Sequence, residues 1–257
     1  MRVVSYNILK AGIGRADPIA EVLLAQRPDV VGLVEADDPE VLDRIAWRLG
    51  FDCIAAEGID GRTAALLTRG RILDSVNHTL RLGEDGPRGF LEGTVELGGL
   101  LMPVAVIHTT AKATEKRERR REREISHVLD TLAQQRKLGV PHLLIGDFNA
   151  NSPIQQIDRE RLKPSSRKAF DANGGDLPRR VVQRLLDAGY ADTLAVARPD
   201  EATTAGTFTT LHPGQRVDYI FAYGLPPSQI AEAWIETDRL ATYASDHYPV
   251  GAELRLP

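Results

Sequence analysis

The sequence predicts an α/β fold in which two mixed β-sheets pack together and are flanked by helices. Three observations lead to this prediction. Short apolar runs of strand length alternate with amphipathic helical segments at the start of the chain, hairpin-like strands fill its middle, and neither a repeat nor a linker divides its 257 residues. We therefore expect one domain spanning residues 1–257.

The first part of the chain predicts two strand–helix units. In each unit a short apolar run ends on a polar residue, and an aspartate-proline pair follows. Such a pair is typical of a helix start, because aspartate caps the helix and proline fits its first position. The elements are a strand over residues 3–8 carrying Asn7, a helix from Asp17 and Pro18 to Pro28, a strand over residues 29–35 ending on Glu35, and a helix from Asp38 and Pro39 to Gly50.

The remainder of the chain predicts mostly strands. Residues 82–89 are rich in glycine, proline and charge and predict an exposed loop, whereas residues 151–176 lack apolar periodicity and predict a functional or mobile excursion. The predicted strands cover residues 63–68, 71–77, 90–97, 100–108, 143–147, 217–223, 230–235 and 245–254, and the predicted helices cover residues 114–137 and 181–188.

Composition narrows the class of protein. Hydrophobic residues make up 42% and charged residues 26%, as in ordinary globular domains. The net charge of −4 argues against a coat on long nucleic acid, which needs many phosphate contacts, but leaves a local basic groove open. The single cysteine, Cys53, is expected in the core and excludes an intrachain disulfide. The chain begins directly in a strand and has no apolar run of membrane-spanning length, so we expect a cytoplasmic protein.

Polar residues recur where the predicted strands end. Asp147 and Asn149 follow the apolar run 143–145, and their spacing points both side chains the same way while Phe148 turns to the core. Sites in layered α/β proteins collect where strand ends converge. The full set comprises Asn7, Glu35, His108, Asp147 with Asn149, Asp218, and Asp246 with His247.

Each of these residues also has a purely structural interpretation. The alternatives are an Asx turn for Asp147 and Asn149, a turn amide for Asn7, a solvated carboxylate for Glu35, a hydrogen-bonded core histidine for His108, a paired structural acid for Asp218, and a turn for Asp246 and His247. The recurrence of the pattern at six strand ends favours a common site.

The donor set indicates a type of chemistry. Carboxylates, an amide and histidines without a thiolate cluster suit Mg²⁺ or Mn²⁺ better than a structural zinc, and one or two ions remain possible. A histidine that titrates near neutral pH and is backed by an acid suits the activation of water. Together these features predict metal-assisted hydrolysis of a phosphoester.

Six stretches resemble the endonuclease/exonuclease/phosphatase superfamily, which has the DNase I-like fold, and they occur in the family's order. They are VSYN at 4–7, VGLVE at 31–35, IHTTA at 107–111, GDFN at 146–149, RVDYIF at 216–221 and SDHYPV at 245–250. The resemblance implies a four-layer α/β sandwich. The sequence departs from the family pattern at Val34, where glutamine is usual, and at Thr109, where leucine is usual, but neither change removes a catalytic group.

The resemblance also implies roles. Glu35 would be the main metal ligand, with Asn7 and Asp246 beside it. His247 would be the general base or contact the phosphate, and Asp218 would orient it. Asp147 would position the attacking water, and Asn149 would contact the phosphoryl oxygens. His108 would match a second histidine that some branches of the family carry.

A basic stretch over residues 116–124 follows soon after His108. The apolar stripe of the following helix, extended backwards, meets Glu118 and Arg121, so the first turns are expected to be solvated and salt-bridged. The alternative is that Arg117, Arg120 or Arg121 reaches a substrate phosphate.

The sequence does not decide which class of substrate the protein acts on. A basic loop over residues 159–168 and the aromatic residues Phe170, Phe208 and Tyr243 are not diagnostic. Three interpretations remain. The first is a phosphoesterase that acts on a small or lipid-like phosphodiester or on a phosphomonoester. The second is a DNA or RNA nuclease, and the third is a binding module that has lost catalysis. The expected partner is a phosphoester substrate (a small molecule, a lipid headgroup or nucleic acid), without stable membrane insertion and without an implied protein partner.

Overall fold

The computed structural model describes residues 1–256, and its strands form two mixed six-stranded sheets. The strands are β1 (Arg2–Asn7), β2 (Val30–Val34), β3 (Asp52–Ala56), β4 (Ala64–Thr68), β5 (Arg71–Asn77), β6 (Gly89–Leu97), β7 (Leu100–His108), β8 (His142–Asp147), β9 (Ala191–Asp192), β10 (Asp218–Tyr223), β11 (Ile230–Ile235) and β12 (Val250–Leu254).

Helices connect the strands and cover the sheets. They are α1 (Ala16–Ala25), α2 (Pro39–Leu49), α3 (His78–Leu82), α4 (Glu115–Thr131), α5 (Ala133–Lys137), α6 (Pro164–Ala172), α7 (Arg180–Asp187), α8 (Thr193–Ala197), α9 (Pro199–Thr204) and α10 (Arg239–Ala244). Within residues 1–256, none of these helices is both long and apolar enough to cross a lipid bilayer.

The two sheets share one topological plan. Their strand orders are β11-β12-β1-β2-β4-β3 and β5-β6-β7-β8-β10-β9. Each sheet has one parallel pair at its centre, β1 with β2 and β7 with β8, and its other neighbouring strands are antiparallel. A parallel pair needs a long crossover, which α1 supplies in the first sheet and α4 with α5 in the second.

Three apolar cores define the layers. The central core lies between the sheets and includes Leu66 from the first sheet and Ile145 from the second. A second core packs Val31 against the helix α1, and a third packs Leu144 against Val128 of α4. The order is therefore helix, sheet, sheet, helix, and the predicted four-layer α/β sandwich is confirmed.

Two glycines allow close approach near the end of β8. A Cβ on Gly32 would lie 2.5 Å from Ile145 Cδ1 in the facing sheet. A Cβ on Gly146, whose φ is +137°, would lie 1.9 Å from the carbonyl oxygen of Ile107. Gly146 therefore requires glycine, whereas a side chain at Gly32 would have to displace Ile145, and both positions lie beside the segment that delivers Asp147.

Of the two predicted helix caps, one is confirmed and the other is wrong. Asp38 caps α2 by accepting the backbone N–H groups of Glu40 and Val41, as predicted. The prediction for Asp17 is wrong, because α1 already begins at Ala16 and the Asp17 carboxylate lies in its first turn. There it pairs with Arg44 and Arg48 of α2 instead of capping its own helix.

Other predicted bounds also change. The predicted helix over residues 114–137 is divided at Leu132 into α4 and α5. The predicted last strand begins only at Val250, since residues 245–249 form a connection instead. The sequence did not predict β3, an edge strand on which half-buried Cys53 packs against the second core, and it did not predict α6 within residues 151–176.

Candidate active site

The central strands of the second sheet bring their last inward-facing side chains to one edge. Along β7, Val106 points into the central core and Ile107 points outward, so His108 points inward again. The register sets Asp147 of β8 opposite His108 on one side and opposite Asp218 of β10 on the other. Three side chains that can move protons or bind cations therefore lie in a row across this sheet.

The first sheet contributes Asn7 and Glu35 to the same place. Asn7 Nδ2 donates to Asp147 Oδ2 at 3.1 Å and to Glu35 Oε1 at 3.3 Å. Glu35 follows β2 with a left-handed φ of 58°, which interrupts the strand alternation and keeps its carboxylate beside Asn7. The backbone N–H of Lys10 and Nη1 of Arg62 each bind Glu35 Oε2 at 2.9 Å. The sheets are thus joined through one amide between two carboxylates.

The connection before β12 delivers Asp246 and His247. The Ser245 hydroxyl donates to the carbonyl oxygen of Asn7 at 2.6 Å and accepts the backbone N–H of His247 at 3.2 Å. This short loop is therefore anchored to the end of β1. His247 is buried, whereas the Asp246 side chain is 37% exposed and lies at the mouth of the site.

The two histidines face one carboxylate oxygen. His247 Nδ1 is held by Asp218 Oδ2 at 2.9 Å, which leaves its Nε2 3.8 Å from Asp147 Oδ2 and 3.9 Å from Asp246 Oδ1. His108 Nε2 lies 3.5 Å from the same Asp147 Oδ2. These Nε2 separations exceed a good hydrogen bond, so both Nε2 atoms face Asp147 without bonding to it directly.

Burial and charge set the protonation of His247 and Asp147. Burial lowers the pKa of His247, but the carboxylates of Asp218 and Asp147 outweigh it and raise that pKa to about 10. Burial and the nearby Asp218 charge raise the pKa of Asp147 to about 7, although His247 opposes them. In this charge state His247 is an imidazolium whose Nε2 donates, which suits contact with a phosphoryl oxygen.

The surroundings of His108 lower its pKa, whereas those of His247 raise the pKa of that histidine. Burial lowers the pKa of His108 to about 3, and the charges of Arg62 and Arg88 add to this effect against the opposing charge of Glu35. Burial opposes ionisation of Glu35, but its pKa is lowered because the neighbouring His108, the Lys10 N–H and the Arg62 guanidinium favour its anion. The site therefore combines a neutral histidine with a charged one.

Asn149 closes the edge of the site beside β8. Its φ is 48°, and its backbone N–H donates to Asp147 Oδ1 at 2.8 Å, so the Asx turn considered as an alternative is present. Its Nδ2 donates to the carbonyl oxygen of Thr109 at 3.1 Å. The turn does not exclude a role at the site, since it fixes Asn149 next to Asp147.

The donors present fit a hard divalent cation. The buried Oδ1 atoms of Asp218 and Asp246 have no hydrogen-bond partner among residues 1–256. Ligand atoms of Asp147, Asp218 and His247 lie within 4.8 Å of one another, and Asp218 keeps its Oδ1 free because the hydrogen bond to His247 uses Oδ2. The unpartnered Asp246 oxygen and the Glu35 carboxylate each offer the hard oxygen ligands that such ions prefer.

Asn7 differs from the expected ligand geometry. Its Oδ1 accepts the backbone N–H of Leu9 at 3.0 Å, and its Nδ2 faces Glu35 and Asp147. In this orientation Asn7 is a donor to the two carboxylates, and metal ligation through Oδ1 requires the amide to turn over.

The predicted arginines separate into different environments. Arg121 does not reach the site: its side chain is 1% exposed and binds Glu118 at 2.7 Å and the carbonyl oxygens of Thr110 and Lys112. This correction also applies to the expected solvation of the first turns, because ion pairing lets α4 bury Arg121 and Glu118, which were expected to face solvent. Arg120 pairs with buried Glu124.

Arg117 lies in a different environment from Arg120 and Arg121. Of the three arginines it alone lines a cavity that also contains His108. It therefore remains a candidate contact for a substrate.

Sequence reasoning missed two groups of basic residues at the site. Arg62 and Arg88 come from connections whose sequence carries no motif. Lys163 Nζ lies 3.7 Å from the ring centroid of Phe208, whose ring in turn lies 4.5 Å from that of His247. A search for basic residues flanking each strand end would have found Arg62, but only the folded chain shows the Lys163–Phe208–His247 stack.

Comparison with solved structures identifies the class of fold. Similar structures, each covering all of both chains, include a 3′ phosphatase from Neisseria bound to a product DNA hairpin (20% identity, TM-score 0.71), an AP endonuclease from Archaeoglobus fulgidus (17%, 0.70) and a conserved protein of unknown function from Enterococcus faecalis V583 (19%, 0.72). At these identities the likeness shows the fold alone, which is DNase I-like.

The family follows from the sequence. The model of the Endonuclease/Exonuclease/phosphatase family matches residues 4–247, and the chain belongs to this family. A search of curated proteins found no match. The family contains phosphoesterases and nucleases, and all the strand-end residues described above fall within the matched range.

Proposed function

We propose that the protein is a hydrolase that cleaves phosphoesters, preferably phosphodiesters, by in-line attack of water with the help of Mg²⁺ or Mn²⁺. The convergence of groups from both sheets on Asp147 carries this proposal. Its Oδ2 receives the Asn7 amide and faces the Nε2 atoms of His108 and His247 at 3.5 and 3.8 Å, so three polar groups from different strands converge on one carboxylate oxygen.

The residues have distinct tasks in this proposal. Asp147 orients the attacking water, and Asn149 contacts the phosphoryl oxygens beside it. His247, held through Nδ1 by Asp218, donates from Nε2 to the phosphoryl group, or acts as the base once it has lost its proton. His108, which is neutral, contacts the phosphate or the leaving group.

Glu35 and Asp246 would hold the cation. A bound divalent ion supplies charge stabilisation to the phosphoryl and leaving oxygens. Arg62 already neutralises Glu35, so its guanidinium is positioned to compete with the ion or to turn to a substrate oxygen.

Nuclease activity is the second candidate. Basic residues cluster beside His108, and a cluster of this kind favours a substrate with more than one phosphate. Two of the similar structures are a 3′ phosphatase with product DNA and an AP endonuclease, which agrees with this candidate.

Hydrolysis assays with matched variants test the proposal. Candidate substrates are bis(p-nitrophenyl) phosphate, a plasmid, a single-stranded oligonucleotide, sphingomyelin and inositol phosphates, each with Mg²⁺ or Mn²⁺. We expect His247→Gln and Asp218→Asn to lower kcat on the best substrate by about 10²–10⁴-fold, the usual contribution of a positioned acid–base group.

The controls change the same residue types away from the site. His127→Gln on α4 and exposed Asp200→Asn on α9 should retain wild-type turnover. Absence of hydrolysis on every substrate would favour a binding module, and near-native turnover by His247→Gln would refute the role assigned to His247.

A further inference from the structure

Thr109 is the first residue after β7, and all three of its hydrogen-bonding groups bind the turn at the end of β8. Its backbone N–H donates to the carbonyl oxygen of Asp147 at 3.0 Å, and its hydroxyl donates to that of Phe148 at 2.5 Å. Its own carbonyl oxygen accepts a hydrogen bond from Asn149 Nδ2 at 3.1 Å. Because Thr109 is fully buried, water does not compete for these bonds. One residue therefore binds three consecutive residues of the turn.

The hydroxyl of Thr109 acts on the peptide group between Phe148 and Asn149. The oxygen of this peptide accepts the hydroxyl, and its N–H donates to Asp147 Oδ1 at 2.8 Å. Hydrogen bonds at both ends of one peptide group strengthen each other. They also stabilise the left-handed φ of 48° at Asn149, which a residue other than glycine keeps only where its surroundings hold it. The Thr109 hydroxyl is therefore part of what keeps Asn149 in place.

The carbonyl oxygen of Thr109 decides which way the Asn149 amide faces. A carbonyl oxygen can only accept a hydrogen bond, so the amide atom that it contacts must be Nδ2 and not Oδ1. This contact uses one Nδ2 hydrogen, and the other has no partner among residues 1–256. The second hydrogen is thus left free to donate to a phosphoryl oxygen.

The hydroxyl has no substitute in this part of the chain. The Phe148 carbonyl oxygen accepts no other hydrogen bond from residues 1–256. Thr109 is also one of the two positions at which the sequence departs from the family pattern, where leucine is usual. Leucine has no hydroxyl and would leave the Phe148 carbonyl without this bond. The arrangement is therefore a property of this chain.

We propose that Thr109 is a positioning residue that orients the Asn149 amide toward the phosphoryl group of the substrate. Its hydroxyl fixes the peptide group before Asn149, and its carbonyl oxygen fixes the amide itself. Thr109 is fully buried and acts through Asn149 without touching substrate. This inference rests on the proposed phosphoesterase function, because it concerns the placement of a group that acts in that reaction.

Kinetics on bis(p-nitrophenyl) phosphate with Mg²⁺ or Mn²⁺ test this role. Thr109→Val keeps the shape of the side chain but removes the hydroxyl, whereas Thr109→Ser keeps the hydroxyl. Thr109→Val should lower kcat about 10–10²-fold, because a small misplacement of a positioned group can cost that much. KM should change little, since the amide acts mainly on charge that develops in the transition state. Thr109→Ser should restore most of the wild-type kcat.

Thr131→Val on α4 is the matched control. It removes a hydroxyl that likewise donates to a backbone carbonyl oxygen, that of His127 at 2.8 Å, but lies away from the site. We expect this variant to keep the wild-type kcat.

Combining substitutions distinguishes action through Asn149 from a general loss of structure. Asn149→Gly removes the amide and suits the left-handed backbone, because glycine adopts a positive φ without strain. In this background Thr109→Val should lower kcat much less than it does in the wild type. An equal drop in both backgrounds, or a wild-type kcat in Thr109→Val, would overturn the role of Thr109 and leave the proposed function standing.

Nuclear magnetic resonance of the Asn149 amide measures the positioning without turnover. In protein with isotopically labelled asparagine, the side-chain resonances that disappear in Asn149→Gly belong to its two Nδ2 hydrogens. One of them should lie downfield of its counterpart in exposed Asn173 in the wild type and in Thr109→Ser, and should move toward that counterpart in Thr109→Val. A wild-type amide that resembles Asn173 would overturn the proposal, even if Thr109→Val does not fold.

The two measurements separate the two proposals. If the wild type hydrolyses no substrate but the Asn149 resonances respond to the Thr109 hydroxyl as expected, the proposed function fails and the positioning of the amide stands. If the wild type hydrolyses the substrate and these resonances are the same in Thr109→Val, the proposed function stands and the role of Thr109 is overturned.

Discussion

Asp147 shows how much one residue depends on its neighbours. It is buried at the end of β8, and its carboxylate is approached by Asn7, His108 and His247 from three other segments. Burial and the Asp218 charge raise its pKa to about 7, so small changes around it alter its charge near neutral pH. A bound cation would shift this balance toward the ionised carboxylate.

His142, at the other end of β8, gives a prediction about stability. It is buried with Nδ1 2.8 Å from the carbonyl oxygen of Val140 and Nε2 2.8 Å from the Tyr190 hydroxyl, which suits the neutral ring. Burial lowers its pKa, against the opposing Val140 hydrogen bond, so between the folded and unfolded pKa values the unfolded state binds more protons. Stability should therefore fall as pH falls below about 6.5, by at most about 1.4 kcal/mol per pH unit.

Urea unfolding of the wild type and His142→Gln at pH 7.5 and 5.5 measures this effect. We expect the free energy of unfolding to decrease more in the wild type than in His142→Gln, because the substitution removes the titrating ring. His127→Gln serves as the matched control and should keep the wild-type pH dependence. Identical pH dependence in the wild type and His142→Gln would show that burial does not suppress protonation of His142.

At the scale of elements, the site depends on how closely β2 and β8 pack. Gly32 of β2 leaves no room for a Cβ against Ile145, which lies two residues before Asp147 and is fully buried. Gly32→Ala should destabilise the protein by about 1–3 kcal/mol, the usual cost of overpacking a core. Urea unfolding measures the change.

A double-mutant cycle gives the control. Ile145→Val removes the Cδ1 atom that the new methyl group would meet, so Gly32→Ala/Ile145→Val should be less destabilised than the sum of the single changes. Additive effects would mean that the loss at Gly32 has a cause other than this contact.

The strand ends were predictable from the sequence because they obey local rules. Alternation along β7, β8 and β10 fixes the direction of His108, Asp147 and Asp218, and short apolar runs mark where β7 and β8 end and where β10 begins. The same rules placed β1 and β2, and they supported the fold class that the structure confirms.

The structural features that the sequence did not predict depend on tertiary contacts. The first turns of α4 bury Glu118 and Arg121 as an ion pair, which no apolar periodicity reveals. Arg62 reaches Glu35 from a connection without a motif, and residues 246–248 bond to the distant segment 207–210 instead of extending β12. Such contacts join residues far apart in sequence, so local pattern carries no signal of them.

At the scale of the whole molecule, the two sheets share a plan but contribute differently to the site. The second sheet provides His108, Asp147 and Asp218, and the first provides Asn7 and Glu35. A cavity of about 730 Å³ elsewhere, lined by Met1, Gly98 and other residues away from the strand-end set, contains none of them. The strand-end residues are therefore gathered at the edge where the two sheets meet.

The central claim is that a divalent cation held by Glu35 and Asp246 supports phosphoester hydrolysis. The most direct test is to strip the protein with a chelator and follow hydrolysis of the best substrate as Mg²⁺ or Mn²⁺ is added back, using Glu35→Gln and exposed Glu40→Gln as a matched pair. We expect activity to vanish on stripping and to return with the cation in the wild type and Glu40→Gln, but not in Glu35→Gln. Full hydrolysis by the stripped wild-type protein, or full recovery in Glu35→Gln, would contradict the claim.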